Sequence, residues 1–156
     1  MGYFVTTTDC NFFLAKENLD AAHKAMCDLN QRDDKKRGGR YTKEGVSYDS
    51  PRPAGLNYHP ARWFSWMDAD YPSKCKSAME ILQALGFDAN LDENGNIVAL
   101  FYENKTGSEE LFFQAIAPFV KDGSYICWRG EDGVEYRWLF EGGKMFEQSL
   151  VKKEWA

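Results

Sequence analysis

Histidine and paired cysteine are scarce in this sequence, and their scarcity removes whole classes of chemistry. There are 2 histidines, His23 and His59, and 4 cysteines, Cys10, Cys27, Cys75 and Cys127, set far apart with no C-x-x-C pair. Zinc sites need clustered thiolates or imidazoles, so no structural metal is expected, and the thiols read as reduced, mostly buried apolar residues. A Ser or Cys nucleophile needs a base beside it, and only these two imidazoles are on offer. Phosphate-cradle, dinucleotide-binding and G-x-S-x-G motifs are missing; Gly38-Gly39 lies in a basic stretch without the strand and helix such a cradle needs. No cofactor is expected, and a non-enzymatic role is favoured over catalysis. No apolar run approaches the roughly 20 residues of a membrane helix. The start MGYFVTTTDC lacks the basic and apolar regions of a signal peptide, and bulky Tyr3 and Phe4 after the glycine argue against myristoylation. The expected location is the cytoplasm, with no membrane partner.

What is abundant is aromatic. Hydrophobic residues make up 44% and aromatics 15%, enough for one well-filled core in a chain of 156 residues, read as a single domain over 1–156. In Ser124–Arg129, Ile126 and Trp128 face opposite to Tyr125 and Cys127; in Val134–Phe140, Tyr136, Trp138 and Phe140 share a face. Gly130-Glu131-Asp132-Gly133 and Gly142-Gly143 supply two reversals, so these runs and Met145–Val151 form a three-strand meander. A ribbon of three strands cannot cover such rings alone, so helices must lie across it.

Upstream, Tyr3–Thr8 and Asn11–Leu14 read as a short hairpin or a bulged strand. Leu19, Ala22, Met26 and Leu29 give an amphipathic helix over Glu17–Asn30; His23 sits inside it and reads as a residue at the edge of the buried face rather than a catalytic one. Pro72 starts a second helix with Asp70 as cap, an apolar stripe of Cys75, Ala78, Met79, Leu82 and Leu85, and Gly86 at its end. Phe87–Leu91 and Ile97–Tyr102 flank an Asn-Gly turn; the second run is apolar on both faces and reads as a central strand. Thr106-Gly107-Ser108-Glu109 reads as a capping box for a third helix with Phe112, Ala115, Ile116 and Phe119 on one face, ended near Pro118. The order ββ-α-loop-α-ββ-α-βββ predicts an α+β fold, an antiparallel sheet of about six to seven strands with three helices on one face.

Two stretches carry the functional candidates. Within the long connection 31–60 lies a basic run, Lys35, Lys36, Arg37, Arg40 and Lys43, accompanied by Tyr41 and by Tyr48, a candidate loop for nucleic acid or a nucleotide. The cluster Arg62, Trp63, Phe64, Trp66, Asp68, Asp70 and Tyr71 follows; its aromatics either plug the core or form a partner-facing hot spot. Asp68 and Asp70, with a third acid such as Glu80, are candidates for a Mg²⁺ site in phosphodiester hydrolysis, set against an ordinary capped helix start. Formal net charge is −5, and since Lys35 to Lys43 holds five positive and no negative residues, everything outside it sums to −10. Such a body repels nucleic-acid phosphates and attracts basic surfaces. Acidic turns at Asp33-Asp34, Asp92-Glu93, Glu109-Glu110 and Glu131-Asp132 are candidates for imitating a phosphate backbone, or ordinary solubilising surface.

The helix Glu109–Pro118, followed by Gly123-Ser124-Tyr125-Ile126, Gly130-Glu131-Asp132-Gly133, Tyr136-Arg137-Trp138 and Gly142-Gly143-Lys144, resembles small uncharacterised proteins of bacteriophages and prophages. The resemblance covers about a third of the chain and brings no catalytic residues. It implies a protein acting in a bacterial host cytoplasm, and by association an inhibitor of a host defence or nucleic-acid-handling protein. Three readings follow: a protein-binding module with a host partner, a nucleic-acid or nucleotide binder using the basic loop, and a metal-dependent phosphodiester hydrolase.

Overall fold

Alternating apolar residues and positive-φ glycines build the C-terminal meander as the sequence implies. Gly133 (φ +87°), Gly142 (φ +61°) and Gly143 (φ +77°) turn the chain between β5 (Ser124–Gly130), β6 (Glu135–Glu141) and β7 (Lys144–Val151). Ile126 pairs with Trp138 and Ser124 with Phe140, which puts Ile126, Trp128, Trp138 and Phe140 on one buried face. The computed structural model describes residues 3–36, 52, 54–64, 66–151 and 154–155.

The N-terminal run forms one strand, β1 (Phe4–Asn11), carrying a bulge between Thr7 and Asp9. It lies between β5 and a short strand β4 (Glu103–Lys105) that the sequence did not announce. With the two-residue β8 (Glu154–Trp155) on the far edge, the sheet order is β4-β1-β5-β6-β7-β8, antiparallel at every pairing.

Two expectations are corrected. The strand expected to be central, β3 (Ile97–Phe101), instead pairs with β2 (Asp88–Leu91) in a separate two-stranded ribbon. Its apolar residues on both faces are accounted for differently: Ile97 and Leu100 sink into the core, while Phe101 is left 48% exposed. The helix expected from Pro72 to Leu85 is two helices, α2 (Tyr71–Lys74) and α3 (Ala78–Leu85), which with α1 (Leu19–Leu29) and α4 (Glu109–Ile116) makes four α-helices among the described residues. The break lies at Ser77, whose Oγ accepts the Glu80 N–H while the Glu80 carboxylate accepts the Lys76 N–H, a fresh N-terminal cap within the apolar stripe.

The helices cover one face of the main sheet. Phe112, Phe113 and Ile116 of α4, Ala22 and Met26 of α1, and Ile81, Leu82 and Leu85 of α3 join the inner-face rings in a single buried cluster. Phe113 meets Trp138 at 5.4 Å, and Phe12 meets Phe140 at 5.7 Å with rings at 79°, an edge-to-face contact. Each fully buried aromatic or aliphatic side chain contributes about 1.5–3 kcal/mol. The opposite face carries Phe4, Thr6, Asp9, Tyr125, Arg129, Arg137, Leu139 and Phe146, with Phe4 and Phe146 exposed; the register alone sets this division.

Candidate functional site

The aromatic cluster after the long connection splits between core and surface. Trp63 is buried against Phe112, and its indole N–H donates to Asn30 Oδ1 at 2.9 Å; the Asn30 amide in turn donates to the Ala69 carbonyl. Tyr71 is also buried, its hydroxyl donating to the Met26 carbonyl, and burial pushes its pKa up. Both therefore fasten the returning chain onto α1. Trp66 differs: it is 41% exposed, stacks on Phe64 at 4.9 Å and donates its indole N–H to the Leu85 carbonyl at 3.0 Å. Arg62 and Asp68 are exposed.

The two acids of this segment are engaged locally. Asp68 accepts the Asp70 N–H at 2.7 Å and lies 3.4 Å from Lys74 Nζ; the backbone donor, more than the lysine, holds its carboxyl below the usual range. Asp70 accepts the Ser73 hydroxyl at 2.6 Å, and Glu80 is taken up by the Lys76 amide. Among the described residues no group of three or more His, Cys, Asp and Glu side chains converges as metal ligands would.

The basic loop is divided as well. Lys36 is fully buried, its ammonium donating to the His59 carbonyl at 2.9 Å with Asp33 at 3.8 Å, and burial pulls its pKa from 10.5 down to about 8. That side chain holds the fold and is not displayed to a ligand. Lys35 is half-buried, while Arg37, Arg40, Tyr41, Lys43 and Tyr48 lie outside the described residues.

Both imidazoles are spent on internal bonds. His59 is buried and its Nδ1 accepts the Ala61 N–H at 3.0 Å. His23 Nε2 lies 2.9 Å from the Cys75 carbonyl and 3.5 Å from Cys27 Sγ. A carbonyl only accepts, so Nε2 carries the proton and has no lone pair with which to draw one from the Cys27 thiol, whose pKa burial raises.

A cleft that the sequence did not flag opens where β1 meets the β3–β4 stretch. Its volume is about 390 Å³, and it is lined by Thr6, Thr7, Gly86, Asp88, Phe101, Tyr102 and Glu103. The register builds it: Asp88 pairs with Phe101, Glu103 lies two residues further along the same stretch, and Thr6 pairs with Glu103. The Thr7 hydroxyl and Tyr102 N–H tie the seam together at 3.1 Å. Among the described residues, neither the Asp88 nor the Glu103 carboxylate has an ion-pair or hydrogen-bond partner. Trp66, 41% exposed, is bonded to Leu85, the residue before the lining Gly86, and Phe101 of the lining is 48% exposed. The Asn-Gly turn announces the ribbon, but a register shift between Asn90 and Leu91 decides that Asp88 faces Phe101. Comparison with known proteins adds no relative, since no family model, curated protein or solved structure matches the chain.

Proposed function

We propose that this chain is a non-enzymatic protein-binding module, phage- or prophage-encoded, that engages and inhibits a host protein of defence or nucleic-acid handling. The observation that carries the reading is exposed aromatic surface: Phe101, 48% exposed, lines the cleft with two carboxylates that have no partner among the described residues, and Trp66, bonded to Leu85 just before the lining Gly86, is 41% exposed. Aromatic side chains are enriched at protein interfaces, and Trp is among the residues that dominate their hot spots. The engagement of both histidines in internal bonds supports the same reading.

The test is affinity capture of the tagged protein from a bacterial host lysate, identification of the captured protein, and reconstitution from purified components. A stoichiometric complex lost in Trp66→Ala/Phe101→Ala is the expected outcome. Failure to reconstitute any complex, or one that forms equally well with the double variant, would refute the assignment.

A further inference from the structure

We infer that the cleft between β1 and the β3–β4 stretch receives the guanidinium of an arginine from a basic segment of the partner. This rests on the protein-binding reading and supplies the chemistry of its contact.

The placement follows from strand geometry. Asp88 and Phe101 are directly paired, and Phe101 and Glu103, both exposed, stand on either side of buried Tyr102 in the sequence. Paired side chains in antiparallel strands stand about 5 Å apart and alternate residues about 7 Å apart, on one face. One carboxylate thus stands across the ribbon from an exposed phenyl ring and a second follows the ring along the chain, with the Thr6 side chain opposite Glu103; all four residues line the cleft. A planar cation lying on the ring has an acceptor across the strand and another along it, combining cation–π attraction with charge-assisted hydrogen bonds. The cleft volume, about 390 Å³, falls in the range that holds a small organic group.

Alternatives within the chain are weaker. Lys105, two residues beyond Glu103 on β4, makes no ion pair with it among the described residues, so the carboxylate is not neutralised from its own strand. A metal ion finds no third acid, histidine or cysteine converging there among the described residues. The acidic balance of the chain, −5 overall, favours approach of a positively charged partner over an anionic one.

The test is a titration of the ¹⁵N-labelled full chain with N-acetyl-arginine methylamide, run beside the citrulline analogue, which keeps the shape and loses the charge. Amide shifts at Thr6, Thr7, Gly86 and Phe101 to Glu103 that the citrulline analogue reproduces at least roughly tenfold more weakly are expected. Asp88→Asn/Glu103→Gln should weaken the arginine analogue to the same degree while amides remote from the cleft keep their positions. Equal response to both analogues, shifts scattered over other acidic surface, or undiminished binding by a folded double variant each overturns the inference. The comparison of analogues on the unaltered chain decides the matter even where the double variant fails to fold. A reconstituted partner complex accompanied by no cleft response would refute the arginine site and leave the protein-binding reading standing.

Discussion

Replacing Lys36 with methionine should change how stability depends on pH more than it changes stability itself. The ammonium is fully buried, donates to the His59 carbonyl and has Asp33 at 3.8 Å. Burial lowers its pKa from 10.5 to about 8, opposed by Asp33 and reinforced by Arg52. Below pH 8 the lysine is protonated in both folded and unfolded chains, and the folded state bears the cost of a desolvated charge. Between pH 8 and 10.5 the unfolded chain binds more protons than the folded one, so stability conferred by this position rises with pH. The shift corresponds to about 3 kcal/mol across that window. Lys36→Met removes this gain and takes one donor from the His59 carbonyl, a loss of about 1–3 kcal/mol that relief of the buried charge offsets near neutrality. Urea denaturation of both proteins at pH 7.5 and 10.5 reads the difference directly, and cysteines and tyrosines that titrate in the same window cancel in the comparison. The native chain should gain about 3 kcal/mol relative to the variant, or roughly 5–10 °C in melting temperature for a domain this size. Parallel stability curves would show that the ammonium is hydrated and the reasoning wrong.

Glu109 works with the opposite sign. Its carboxylate is buried and accepts the Thr106 hydroxyl and the Gly107 N–H, and burial raises its pKa above the usual value. The folded chain therefore holds this proton more tightly, so the contribution is complete below the unfolded pKa and fades as pH rises through the folded one. Glu109→Gln should flatten that decline, checked by thermal unfolding from pH 4 to pH 7. Trp63→Ala should cost about 3–5 kcal/mol by emptying a core position, whereas Trp66→Ala, at a 41% exposed site, should cost about 1 kcal/mol or less and act chiefly on partner capture. Equal destabilisation by the two would contradict the division of that cluster into core and surface.

The antiparallel α+β scaffold was legible where local signals agreed. Glycines at 133, 142 and 143 and strict alternation of Trp138 with its neighbours left the meander little choice. The sequence misled where two local signals competed. The apolar stripe across Cys75 to Leu85 reads as one helix, yet Ser77 and Glu80 offer amides a cap and restart it. Ile97 to Tyr102 looks buried on both sides because Leu100 and Tyr102 go into the core while Phe101 spends its ring on the surface. The site was harder. Lys36 sits in a run of basic residues that resembles a solvated loop, and only the tertiary packing takes it out of water. Asp88 and Glu103 come together through strand register, which no spacing along the chain reveals.

The bulge in β1 takes up one residue for which the ladder with β5 has no partner. Before it, the odd-numbered Val5 points inward; after it, the even-numbered Cys10 and Phe12 do so, with Cys10 opposite buried Ile126 and Phe12 against Phe140. Thr8, opposite no residue of β5, is the extra one: drawn into a regular ladder it would rotate everything downstream to Asn11 by half a period and turn Phe12 toward water, whereas without it Asp9 and Cys10 keep their places opposite Cys127 and Ile126. Loss of that one residue is thus the change of length the strand can absorb, since Val5, Thr7, Cys10 and Phe12 would still line the same face.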